Sequence, residues 1–225
     1  MTLTVPLRRA LAFVLLSTVM AACSTAATPT PSPGPCPSAA PTADEAGAIN
    51  AAAARAVVTT NLGSFTIELY PQAAPIATAN FVALARCGFY GGISFHRVIA
   101  GFVAQAGDPQ TKTNRGEFDG LGTDGPGYGF AIEPPPDGYN YDRYVVAMAS
   151  GGQSDSNGSQ LFIDLADLDG QLARSYTIFG KVVAGTEVID AIGAVQTTGP
   201  PNGNMPGYVP VQPIIIGSVA IESGG

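Results

Sequence analysis

Glycine and proline punctuate this chain so densely that few segments are long enough for an extended helix. There are 28 glycines and 19 prolines in 225 residues. Between them lie short runs rich in β-branched and aromatic side chains, the pattern of many brief strands joined by tight turns. The apolar fraction is 46% and the charged fraction 12%. Such a chain buries a core and is not disordered throughout. The formal net charge of −7 argues against nucleic-acid binding, which needs clustered Lys and Arg, and against a polybasic membrane patch.

Three regions differ in texture. Residues 1–22 read as a signal peptide: Arg8 and Arg9 precede an apolar stretch from Ala10 to Ala22, which is too short to span a bilayer as a helix. The run Met20-Ala21-Ala22-Cys23 resembles a bacterial lipobox. Cys23 is thus the expected lipidation site and sole membrane attachment, with an ordinary secretory signal as the alternative. Residues 23–54 are rich in Pro, Ala and Thr and read as a disordered tether, with a helical turn expected at Ala51 to Ala54. From 55 to 225 the chain reads as one folded domain.

Within that domain, Val57–Thr60 and Phe65–Tyr70 read as a hairpin about Asn61–Ser64. Pro75–Arg86 reads as a helix with proline in its first turn and Gly88 beyond its end. Strands are expected over Ser94–Val103, Tyr144–Met148, Leu161–Ile163, Tyr176–Val183 and Ile214–Ile221, a glycine-rich loop over Gly107–Gly129, and a second helix over Thr186–Ile192. This order predicts a mainly β barrel or sandwich. The cysteines Cys23, Cys36 and Cys87 do not form a disulfide framework. Cys36 is expected exposed in the tether, free or paired between molecules. Cys87 is expected to be a packed thiol. No metal site or cofactor is expected.

The segment Phe95–Pro109, FHRVIAGFVAQAGDP, is the most informative. On a strand, His96 and Arg97 face opposite ways. An arginine in an apolar strand needs a partner or a task. Gln105 follows a Gly turn that can return the chain to Arg97. His96 is expected to be a hydrogen-bonded core histidine rather than a base. No GxSxG elbow supports a hydrolase, the weakest alternative.

This segment resembles the signature of the cyclophilins, a family of peptidyl-prolyl isomerases. Four further stretches follow in the family's order. They are Thr78-Ala79-Asn80-Phe81, Gly125-Pro126-Gly127-Tyr128, Met148-Ala149-Ser150 with Asn157–Ile163, and Tyr176–Val182. The resemblance implies a closed eight-stranded antiparallel barrel capped by two helices, acting as a monomer on proline-containing polypeptides. It implies that Arg97 is the catalytic arginine and that Gln105 bonds substrate backbone. Phe102 and Phe162 match aromatic walls of a proline pocket. Val103 stands where the family often has Met. Ala149 and Ser150 match a strand edge that pairs with substrate, Ser150 replacing a common Asn. Leu172 takes the place of a Trp or other large residue, and Tyr176 that of a frequent His. The expected function is isomerisation of X-Pro bonds in extracytoplasmic polypeptides, assisting their folding. The departures at Val103, Ser150, Leu172 and Tyr176 keep a non-catalytic proline-peptide binding module or chaperone as the alternative, and predict weak inhibition by cyclosporin.

Overall fold

The computed structural model describes residues 1–2, 34–203 and 207–224. The signal peptide and Cys23 lie outside the described residues. The following applies to the compact unit that begins at Pro33.

Among the described residues, nine strands form one antiparallel sheet: β1 (Arg55–Thr60), β2 (Gly63–Leu69), β3 (Ser94–Phe95), β4 (Arg97–Val98), β5 (Val103–Ala106), β6 (Val145–Met148), β7 (Leu161–Asp164), β8 (Ile178–Ala184) and β9 (Ile214–Glu222). Their order is β3-β9-β1-β2-β8-β6-β7-β5-β4. The two outermost members, β3 and β4, are consecutive in the chain and separated only by His96. Counted as one bent strand, they join β9 through Ser94 and Phe95 and β5 through Arg97 and Val98. The eight expected strands are therefore present, and the break at His96 is where the sheet closes on itself. A closed sheet leaves no edge to aggregate.

The β1–β2 hairpin turns at Asn61, whose side chain reaches β9. Its Nδ2 donates to the Pro213 carbonyl and its Oδ1 accepts from Ile215 N–H. The barrel interior is filled from alternate positions of each strand. Val98, Ala104, Ile163 and Val146 are register partners across β4, β5, β7 and β6, and all four are buried in the main core.

Helix α2 (Pro75–Arg86) forms over the predicted residues and packs Phe81 against Tyr90 and Phe179, with ring centroids 5.3 and 5.1 Å apart. Its N-cap, Ala74, offers no side-chain acceptor. Glu133 takes that role from a distant loop, accepting from Ile76 and Ala77 N–H at 3.0 and 2.8 Å. A second expected helix, α3, spans Thr186–Gly193.

Two expectations for the segment before residue 55 need correction. It contains a helix, α1 (Ala43–Asn50), where extended chain was expected; the helical turn lies here and not at 51–54. Thr42 and Glu45 form a reciprocal capping box that starts it. Thr42-x-x-Glu45 is a helix-start signal in its own right, outweighing the prolines upstream. The helix rests on α2, where Asn50 Nδ2 donates to the Pro75 carbonyl and Arg86 to the Ala52 carbonyl. Nor are the cysteines independent: Cys36 and Cys87 form a disulfide across 51 positions. Packing of α1 on α2 places Cys36 beside the end of α2, a proximity that spacing alone does not encode.

Candidate active site

Register carries Arg97 and Gln105 to one place. They are direct partners on β4 and β5, Gln105 is paired with Phe162 on β7, and Phe162 with Ala147 on β6. Directly opposed residues in antiparallel pairs share a face. Arg97, Gln105, Phe162 and Ala147 thus form one transverse row on the barrel's outer face, one position out of phase with the core row described above.

This outer face is unusually apolar. A second buried cluster contains Val103, Ala147, Phe162, Ile178, Tyr141 and Leu168, with Phe102, Ala149, Leu172 and Tyr176 partly buried against it. Every apolar side chain expected at a proline pocket lies in this cluster. Their exposures differ, however. Val103 and Phe162 are only 4% and 5% exposed, whereas Phe102, Leu172 and Tyr176 are half-buried. Tyr176 stands edge-on to Phe162, centroids 5.4 Å apart. The Tyr141 hydroxyl fixes Tyr176 by donating to its carbonyl at 2.8 Å. Tyr176 precedes β8 and does not form part of it, which frees its ring to cover the row.

Arg97 is half-buried. Burial lowers its pKa, while Tyr176 and Tyr208 oppose that shift; an arginine so placed stays protonated. No salt bridge to Arg97 occurs among the described residues.

Beside this row lies a polar cavity of ≈ 640 Å³. Gln105, Ala149 and Ser150 line it, with the glycine-rich stretch 122–129 opposite. Gln105 Nε2 donates to Gln160 Oε1 at 3.0 Å, and Gln160 Nε2 donates to the Asp124 carbonyl at 2.8 Å. The side-chain amide of Gln105 is thereby tied to the loop wall. Ala149 N–H donates to the Gln160 carbonyl at 2.9 Å. The Ser150 hydroxyl shares a hydrogen bond with Ser156 and accepts from Gly152 N–H. Gln160 was not singled out from sequence, although its two-residue spacing from Phe162 puts it on the same face. Leu168 and Tyr208 carried no sequence signal.

His96 is buried, as expected, but the expected hydrogen bonds are missing. Neither ring nitrogen has a partner among the described residues. The ring lies against Gly122, where a Cβ would come within 3.3 Å of Nε2. Burial, with the Arg97 charge adding to it, lowers the His96 pKa to about 4. A neutral ring suits the bend between β3 and β4, where alternation is interrupted. Asp164, paired with Val103 on the outer face, is fully buried with both carboxylate oxygens unpartnered among the described residues.

Residues 55–220 match the model of the cyclophilin type peptidyl-prolyl cis-trans isomerase family. This chain belongs to the cyclophilin family. It is similar to a peptidyl-prolyl cis-trans isomerase of Helicobacter pylori strain 26695, 42% identical over 144 residues, covering 62% of this chain and 80% of that protein. It is also similar to peptidyl-prolyl cis-trans isomerase B of Bacillus subtilis, 43% identical over 120 residues, covering 53% and 76% of the two chains. The crystal structure of a Cryptosporidium parvum cyclophilin type isomerase superposes with a TM-score of 0.63 at 33% identity, over 77% of this chain and 99% of that one. The same protein is known in the presence of the dipeptide Ala-Pro, with a TM-score of 0.62. The cyclophilin described here is accordingly an isomerase, a peptidyl-prolyl cis-trans isomerase of that type, and not a binding module alone.

Proposed function

We propose that this cyclophilin isomerises X-Pro bonds in extracytoplasmic polypeptides and so assists their folding. Arg97 stabilises the twisted imide. Phe102, Val103, Phe162, Leu172 and Tyr176 receive the proline ring. Gln105, Ala149 and Ser150 hold the substrate backbone. The observation that carries this reading is the row of Arg97, Gln105 and Phe162, brought side by side by strand register.

An X-Pro bond is planar behind a barrier of roughly 18–20 kcal/mol, and unassisted rotation takes about tens to hundreds of seconds. Rotation localises the lone pair on the proline nitrogen. A guanidinium that hydrogen-bonds this nitrogen or the adjacent carbonyl binds the twisted form more strongly than either planar form, which lowers the barrier. An apolar hollow removes water that stabilises the planar amide. Gln105, fixed by Gln160, limits the freedom of the chain on either side of the bond. The reaction needs no nucleophile.

Attachment at Cys23 and an extracytoplasmic location belong to the same proposal. Arg8, Arg9 and the apolar run ending at Cys23 support it. So does the Cys36–Cys87 disulfide, since such bonds persist in oxidising compartments and are rare in reducing ones. Mass spectrometry of the mature N-terminus tests it: a lipid-modified Cys23 is expected, and an unprocessed Met1 refutes it.

The catalytic assignment is tested with a protease-coupled assay on a proline tetrapeptide. Arg97→Ala is expected to lower kcat/KM about 100-fold, the loss seen when one donor to developing charge is removed. An undiminished rate refutes the role of Arg97.

A further inference from the structure

A carboxyl group stands where strand alternation calls for an apolar side chain. On β7, Phe162 and Asp164 are two positions apart and share the outer face. Asp164 is the direct register partner of Val103 on β5. Opposed side chains of an antiparallel pair lie about 4.5–5.5 Å apart at Cβ. Val103 belongs to the apolar cluster of the outer face, so the Asp164 carboxyl borders that cluster. It is fully buried, and neither oxygen has a hydrogen-bond partner among the described residues. The main chain ties it further to the pocket. Leu165 N–H donates to the Phe102 carbonyl at 2.8 Å, and Tyr144 N–H to the Asp164 carbonyl at 2.8 Å.

A carboxylate so placed has neither water nor a donor to stabilise its charge, and the neutral acid costs far less. The surrounding groups bring no relief. Besides burial, Asp142 from the segment before β6 and Asp167 from the segment after β7 both disfavour its ionisation, which holds its pKa at about 8. The neighbouring Tyr141 phenol brings no positive charge, and β5 carries no charged residue. Cations on adjoining segments are engaged elsewhere. Lys181 of β8 faces Asp142 at 3.5 Å, and Arg143 binds Asp190 of α3 at 2.8 Å. Arg174 donates to the Pro135 and Pro136 carbonyls.

We infer that Asp164 is a positioning residue for the proline pocket: as the neutral acid it backs Val103 and the Phe102 main chain, and on ionising it withdraws that support. A newly formed carboxylate here faces two others and has to reach water. Moving outward, it parts from Val103 and loosens the Leu165–Phe102 hydrogen bond. The hollow then loses the shape that receives a proline ring. This deepens, and rests on, the reading of the pocket given under Proposed function.

The test measures steady-state isomerase kinetics of wild type, Asp164→Asn, Asp164→Val and Arg97→Ala from about pH 6.5 to 9.5. The substrate is a blocked proline tetrapeptide with no group that titrates in this range, and each profile is referred to its own value at the acid end. Far-UV circular dichroism at every pH gives the folded fraction. In wild type, kcat/KM is expected to fall about 10-fold toward the alkaline end through a rise in KM, with kcat held within about twofold, the sign of binding lost equally from ground and transition states. Asp164→Asn and Asp164→Val cannot ionise and are expected to give flat profiles; either serves should the other not fold. A flat wild-type profile overturns the inference. So does the same fall in a variant that cannot ionise, a fall in kcat at constant KM, or one that tracks loss of the folded signal. Full activity of Arg97→Ala overturns instead the reading of the site on which the inference rests. A flat wild-type profile beside an inactive Arg97→Ala removes only the role of Asp164.

Discussion

Two buried ionisable side chains, His96 and Asp164, set opposite pH dependences. Burial, with Asp142 and Asp167 nearby, raises the Asp164 pKa to about 8. Between about pH 4 and 8 the unfolded chain has lost this proton and the folded chain retains it. Stability therefore falls as pH rises across that window, by at most about 1.4 kcal/mol per pH unit. His96 acts in the other direction. Its folded pKa of about 4 lies below the ordinary 6.5, so the unfolded chain holds the extra proton between these values and stability rises with pH. The two slopes oppose one another below pH 6.5, and from 6.5 to 8 the Asp164 slope stands alone. Urea unfolding of wild type is expected to show a midpoint that drops over that upper range. Asp164→Asn, a neutral stand-in of the same shape, is expected to abolish the drop and to be the more stable protein at pH 8. A wild-type midpoint that does not change from pH 6.5 to 8 contradicts this account.

At the scale of elements, α2 is held by a cap that is remote in sequence. Glu133 accepts two N–H groups of its first turn, and a carboxylate there also complements the helix dipole. Glu133→Ala is expected to cost about 1–2 kcal/mol, lowering the thermal midpoint by several degrees, roughly 2–4 °C per kcal/mol for a chain this size. Calorimetry reads the change, and an unaltered midpoint rejects the capping role. The residues forming α2 were legible from Pro75, Gly88 and apolar periodicity; the partner of its first turn was not. The same limit applies to β3 and β4. Composition marked strands over Ser94–Val103, and period-2 reasoning put His96 and Arg97 on opposite faces. The break at His96, which closes the barrel, follows from pairing one short strand with two different neighbours.

For the whole molecule, the Cys36–Cys87 bridge encloses β1, β2 and α2 and binds the segment carrying α1 to the barrel. Cross-linking so long a loop restricts the unfolded chain and is worth about 2–4 kcal/mol. Cys36→Ser is expected to lose that much in denaturant unfolding, and wild type to lose it when reductant is added. A midpoint insensitive to both would show that the bridge adds nothing to stability. Shortening the protein at residue 55, where the barrel strands begin, would remove α1 and leave Cys87 unpaired. The folded unit is thus better delimited at Pro33 than at the first strand.

Local chemistry was written in the chain. Glycine and proline punctuation fixed the turns, side-chain alternation fixed the two faces of each strand, and FHRVIAGFVAQAGDP with its companion stretches pointed to the cyclophilins. These are short-range properties, set by backbone sterics and by neighbours a few positions apart. The clustering of Arg97, Gln105 and Phe162 was implied by motif and turn, yet its geometry came from register across three strands. The Cys36–Cys87 bond, the Glu133 cap and the approach of the His96 ring to Gly122 came only with tertiary structure. Each joins segments distant in sequence, and which distant segments meet is decided by closing the barrel and packing its core, not by any residue's own preference.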